Sequence, residues 1–308
     1  MTFPRLQLSV IGDEIGPSLD EMISFAHEHG LKRLDMRTVN GRNLLGMKTD
    51  EVIQISRTLE KAGITVPAFV SPSFKWRAPG ASMTGGKVDF AFDPKQCPDE
   101  DWVTHAMQIA VILGAPHMRI FSYLRHGGFR PGDFNKETDL KKLLGLASHY
   151  DITLQLENEP VCNVGNIAEL AAFFTAIENA DDGARGEEEE FEERSSDHPE
   201  PIYLRPLVDI ANAWSTGERP SDADIAILAP LTTAIHLKDR DLSAGRTVPL
   251  GDGDVPWPAE LKRLLAGVET KEVLASIETH CPQDGRNATA RSIAGLRRIA
   301  AEIGVEVV

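Results

Sequence analysis

Short aliphatic runs alternate with amphipathic helical stretches along almost the whole chain, and this alternation restricts the fold more than any other feature. LQLSVI precedes a helix expected near residues 18–29, LKRLDM one near 50–62, and ITVPAFV, after a longer loop, one near 99–113. HMRIFSY precedes a helix near 133–150, and a last helix is expected near 286–303. Four further runs are ITLQLEN, RPLVDI, TTAIHLKD and VLASIET. Each has the length and bulk of a strand buried in a parallel sheet. About eight strand–helix units are what a (β/α)8 barrel needs. Gly30, Gly63 and Gly114 stand where helices end, and Ser18 and Asp50 where they begin. A doubly wound sheet shares the alternation, but no GxGxxG follows the first strand. The expectation is an α/β TIM barrel, with residues 1–308 forming one domain.

Two stretches break the rhythm. SPSFKWRAPGASMTGGKVDFAFDPKQCPDE, rich in Pro and Gly, follows the third strand and is expected on the catalytic face as a lid or pocket wall. An acidic insertion at about residues 181–201 falls between the fifth helix and the sixth strand, so it is expected on the opposite face.

The last four runs each end in a polar residue: Glu157, Asp209, His236 and Glu278. Successive side chains on a strand point to opposite faces. In ITLQLEN, Ile152, Leu154 and Leu156 share one face and Gln155 and Glu157 the other. His236 and Lys238 oppose Ile235 and Leu237, and Ser276 and Glu278 oppose Ala275 and Ile277. All four polar residues take the parity that faces the barrel axis. The C-terminal ends of barrel strands converge on one pocket. Three carboxylates and an imidazole meeting there form a site for one divalent ion. Three oxygen donors and one nitrogen favour Mn2+, and also admit Mg2+, Co2+ or Zn2+.

Such a site acts on oxygen-rich small molecules. The ion binds a ketone oxygen and a neighbouring hydroxyl and lowers the pKa of the adjacent C–H. One carboxylate removes that proton to give an enediolate, and a second carboxylate returns it. Return to the same carbon is epimerisation and return to the next is isomerisation. Loss of a β-hydroxyl is dehydration. Glu157 and Glu278 are the candidate proton carriers. The expected substrate is a sugar or polyol. Candidates for contacting it are Asn158 and Glu159 beyond the fifth strand, Asn212 after Asp209, Lys238 and Asp239 after His236, and Arg119 on the fourth strand. Lys75 in the lid-like loop and Trp257 in PLGDGDVPW complete the set. Arg37, Asn40 and Asn43 follow the second strand, Asp13 and Glu14 the first, and His280 and Cys281 the last. Arg119 has a rival reading as a buried ion-pair partner of Asp35 or Glu157.

Composition excludes other classes. The formal net charge of -15 repels nucleic acid and anionic lipid. Three cysteines and no CxxC indicate neither a disulfide framework nor a structural zinc cluster, which fits a reduced, cytoplasmic setting. No apolar run approaches a membrane span, and the N-terminal stretch lacks a signal-peptide layout.

The ordered set LENE, VDIAN, HLKD followed by PLGDGDVPW, and SIET resembles the sugar phosphate isomerase/epimerase family of the xylose-isomerase-like TIM barrel superfamily. GDEI, LDMRTVNGRN and SPSFKW add to the match. The resemblance implies carbohydrate metabolism, with Glu157, Asp209, His236 and Glu278 binding one metal and the two Glu exchanging protons with substrate. Epimerases of the family often carry a His where this chain has Asn212. The superfamily also implies one alternative, a lyase or dehydratase acting on an inosose-like ketone; a second class of reading is a barrel that binds a sugar without turnover. Its barrels often pair, which implies a homodimer.

Overall fold

A computed structural model describes residues 3–82, 92–185 and 203–308. Seven parallel strands form one sheet: β1 (Arg5–Val10), β2 (Ala68–Phe69), β3 (His117–Ile120), β4 (Thr153–Glu157), β5 (Leu204–Asp209), β6 (Ala234–Leu237) and β7 (Glu272–Ile277). Their neighbour order is β1-β7-β6-β5-β4-β3-β2. The ring closes through residues 33–36, the second stave in chain order. This segment bridges Ile11↔Asp35 on one side, and Arg33↔Thr65 and Met36↔Phe69 on the other. Asp35 N–H donates to Val10 O at 2.9 Å and Met36 N–H to Ala68 O at 3.0 Å. The result is the expected (β/α)8 barrel, in which β4 to β7 are the fifth to eighth staves. The ITVPAFV run yields only the two residues of β2, because Pro67 has no N–H to give to a ladder.

The outer layer is built from α1 (Leu19–Glu28), α2 (Thr49–Lys61), α3 (Trp102–Leu113), α4 (Thr138–Tyr150), α5 (Ile167–Arg185), α6 (Ile210–Ser215), α7 (Asp222–Leu228), α8 (Trp257–Leu265) and α9 (Gly285–Ile303). Ser18 caps α1 in a reciprocal box with Glu21. Asp50, expected as a cap, lies in the first turn of α2, since the chain enters at Lys48 and Glu51 accepts the Lys48 N–H. The helix expected over 133–150 is divided: a single turn, Pro131–Phe134, precedes α4. Gly114 ends α3 at φ 64, a left-handed geometry that costs glycine little. The acidic stretch begins within α5, and its remainder, 186–202, lies outside the described residues, as do 83–91 of the lid-like loop.

Two apolar clusters follow from strand parity. The large one fills the space between barrel and helices, with Leu154, Leu156, Ile235, Leu237, Val273, Ala275 and Ile277 among its members. A small separate cluster of Ala68, Leu207, Ala234 and Leu274 lies on the axial face. Leu207 and Ala234 are partners in register, as are Ala234 and Leu274. The axial side chains therefore form their own plug, and the polar residues further along the same strands open at its C-terminal end. Among the described residues no helix is long and apolar enough to cross a membrane.

Candidate metal centre and the cavity above it

Glu157 is the last residue of β4, Asp209 the last of β5, His236 lies within β6, and Glu278 follows β7 directly. Register aligns them: His236 is opposite Asp209 on one side and Ser276 on the other. One donor atom from each of the four lies within 4.8 Å of the others, and all four residues are buried. Donors about 2.0–2.2 Å from one ion stand no more than roughly 4.4 Å apart, so the set needs only a small contraction to share one. The donor types and their spacing fit a divalent ion.

Cations hold this cluster together. Lys238 Nζ stands 2.6 Å from Asp209 Oδ2 and 2.7 Å from Glu278 Oε2, with 2% of its side chain exposed. Arg119 donates to Glu157 Oε2 at 3.0 Å, and Arg37 to Glu278 Oε1 at 3.0 Å. His236 Nδ1 is 3.0 Å from Glu157 Oε1 and 3.5 Å from Glu278 Oε2. Burial alone would lower the pKa of His236, but the two glutamates outweigh it and lift it to about 9. Burial would raise Glu157, yet His236 and Arg119 bring it down to about 2. Glu278 falls well below the usual carboxylate range, because Lys238, His280 and His236 together overcome its burial. Asp209 goes the other way, raised by burial that Lys238 does not fully offset. Both glutamates are therefore ionised at neutral pH, as ligands and proton acceptors must be.

One layer deeper, Asp35 from the second stave is fully buried and neither carboxylate oxygen has a hydrogen-bond partner. The hydroxyls of Ser9 and Ser276 stand beside it, off bonding geometry. Burial, only partly offset by these hydroxyls and by His236, pushes Asp35 up to about 6.

Above the cluster opens a cavity of about 1180 Å³, lined among others by Arg37, Lys75, Arg119, Glu159, Asn212, Arg240, Glu278 and His280. Four of the eight expected substrate contacts, Lys75, Glu159, Asn212 and Arg119, therefore reach it. Lys75 pairs with Glu159 at 2.9 Å, and Arg119 takes the ion-pair role with Glu157 rather than with Asp35. The other four lie away from the lining. Asn158 is buried between loops, donating to Asp209 O and accepting the Asp209 N–H. Lys238 is enclosed by its carboxylates. The Asp239 carboxylate accepts N–H groups of Arg240, Gly251 and Val255. Trp257 does not fold over the mouth; it is buried at the start of α8, and its indole N–H donates to Lys238 O at 3.0 Å. The strand-end parity that brings four donor residues together says nothing about which way a loop residue turns.

Arg37, His280 and Glu14 are more central than the sequence alone suggests. Arg37 donates to Asp13, Glu14 and Glu278 together. Its place two residues beyond Asp35 on the same stave, before the Thr38–Asn43 hairpin begins, is the signal that would have singled it out from Asn40 and Asn43. His280 adopts φ 48 and brings Nε2 to 3.2 Å from Glu278 Oε1. A left-handed non-glycine residue beside a ligand is the strain expected of a functional loop.

The family profile described as xylose isomerase-like TIM barrel matches residues 23–299. Solved structures share the architecture. An IolI protein structure with a bound zinc atom superposes with a TM-score of 0.66 at 12% identity, covering 96% of this chain and 99% of that one. A probable 3-DHS dehydratase from Bacillus anthracis gives 0.61 at 14%, covering 94% and 98%. A 3-keto-D-glucoside 4-epimerase from E. coli gives 0.58 at 11%, covering 94% and 99%. At these identities the likeness is one of fold. No curated protein matches the sequence.

Proposed function

The chain belongs to the xylose isomerase-like TIM barrel family, and from that membership we propose that it is a divalent-metal-dependent isomerase or epimerase of a ketose or related sugar. The observation that carries this reading is the buried quartet of donor atoms within 4.8 Å of one another, of which Glu278 lines the cavity. Glu157, Asp209, His236 and Glu278 would hold the ion, with Mn2+ the preferred occupant. Bound there, a divalent ion supplies Lewis acidity that makes the C–H beside a carbonyl easier to ionise.

The rest of the chemistry belongs to side chains. Glu157 and Glu278 come from staves separated by two others in the ring, so they approach a substrate from different sides. One takes the proton and the other returns it through an enediolate, a form of acid–base help worth about 10²–10⁴-fold. Arg119 fixes Glu157, while Arg37 and His280 fix Glu278, so each carboxylate presents a defined oxygen. Lys75, Glu159 and Asn212 are placed to meet the hydroxyls of a sugar, and the zinc and the epimerase named for proteins of the same fold are consistent with this reading. Incubation of a ketose panel in D2O, with and without Mn2+, tests it. Deuterium should enter beside the carbonyl without net water loss, and a chelator should abolish entry. Net water loss would assign a dehydratase instead, and exchange indifferent to the chelator would remove the metal from the reaction.

A further inference from the structure

TIM barrels commonly seat phosphate on the loops after the seventh and eighth staves, where free backbone N–H groups and a short helix N-terminus gather. In this chain carboxylates already engage donors of both loops, Asp239 from the seventh-stave loop itself and Glu14 from the turn after the first stave. After the seventh stave, Asp239 accepts from Arg240 N–H at 2.8 Å, Gly251 N–H at 2.9 Å and Val255 N–H at 3.1 Å. Gly253 closes over the same carboxylate so tightly that a β-carbon there would collide with it. After the eighth stave, Glu14 Oε2 accepts the Thr279 hydroxyl at 2.9 Å and the His280 N–H at 2.7 Å.

The cavity's cations are engaged as well. Among the described residues, Arg37 is shared by Asp13, Glu14 and Glu278, Lys75 pairs with Glu159, and Arg119 with Glu157. Arg286 pairs with Glu28, and the His280 imidazole also faces Glu278 Oε1 at 3.2 Å. Arg240 differs: its terminal nitrogens donate to Thr247 Oγ1 and Gly245 O, and its buried Nε has no hydrogen-bond partner. At Arg37, Lys75, Arg119 or Arg286 an anionic substrate would have to displace a built-in carboxylate, within a molecule of net charge -15. A hydroxyl needs no such displacement, because paired carboxylates keep spare lone pairs and can still accept.

We propose that the site selects neutral polyhydroxylated substrates and rejects their phosphorylated or carboxylated counterparts, with Asp239 and Glu14 occupying the positions an anion would take. This rests on the cavity being the substrate site of the proposed isomerase or epimerase.

Calorimetry on Mn2+-loaded protein tests it with compounds that cannot react. A neutral alditol, its terminal phosphate and the aldonate of the same carbon chain are titrated separately. The alditol should bind, and both anions should bind roughly tenfold more weakly or worse. Equal or tighter binding of either anion overturns the proposal, and so does failure of the alditol to bind. If the alditol binds preferentially while no ketose exchanges deuterium, the selectivity stands and the isomerase reading falls. Asp239→Gly, checked for folding by circular dichroism, frees the loop N–H groups and should gain binding of inorganic phosphate. Binding of inorganic phosphate by the unaltered protein would count against the proposal even if this variant does not fold.

Discussion

Single side chains at this site are set by opposing electrostatic demands. His236 is neutral when it ligates a metal, yet without one the two glutamates hold a proton on it up to about pH 9. His236→Ala should therefore lower divalent-metal affinity by more than about 100-fold while leaving the fold intact. Metal content after dialysis, with circular dichroism alongside, decides this; unchanged metal content would strike His236 from the ligand set. Asp35 makes a separate case. Its pKa is raised from 3.8 to about 6, so the folded chain keeps a proton there that the unfolded chain has lost. That contribution is fully present below about pH 4 and is lost as pH rises through about 6, a difference of about 3 kcal/mol. Asp35→Asn should remove this part of the slope of stability against pH between roughly pH 4 and 6, measured by urea unfolding. Parallel slopes for the two proteins would show that Asp35 does not hold the proton. Glu157 and Glu278 were legible in the sequence because a strand has a period of two and both end aliphatic runs. Asp239 and Trp257 were not legible as interior groups, since their directions depend on a loop that folds back on itself.

Elements differ in how clearly the sequence announces them. β4 to β7 come from short aliphatic runs buried on both faces, each ending in or leading directly to a polar residue. The second stave, rich in Lys and Arg, makes single bridges in place of a ladder, and the third is cut short at Pro67. A helix start was legible where Ser18 caps it, and not where the chain enters through Lys48; the Asp101 cap falls two residues beyond the start expected for its helix. A distant residue caps α5: the Ile167 and Ala168 N–H groups each donate at 2.9 Å to the carboxylate of Glu218, far along the chain. Such a cap is invisible to local pattern. Glu218→Ala should cost about 1 kcal/mol in urea unfolding, the usual worth of a helix cap. Metal affinity should not change, because Glu218 bonds to none of Glu157, Asp209, His236 and Glu278. A change in metal affinity with unaltered stability would reverse that assignment.

At the scale of the whole molecule, the barrel brings together residues from positions 157 to 278 and makes binding and stability one quantity. A ligand bound only by the folded form adds about 2.7 kcal/mol at 100 times its Kd. Mn2+ at that excess should raise the unfolding midpoint, a chelator should reverse the rise, and His236→Ala should show none. An unmoved midpoint would mean that the quartet does not bind the ion. The wall of the barrel is also uneven. Ladders join six of its strand-to-strand seams, whereas residues 33–36 are stitched to their neighbours by three isolated bridges. A closed ring yields first where it has fewest stitches. Amide hydrogen exchange should therefore be fastest along that closing segment and slowest through β4 to β7. An excursion of the seam would swing Arg37 away from Glu278, while the staves that carry Glu157, Asp209 and His236 stay laced together.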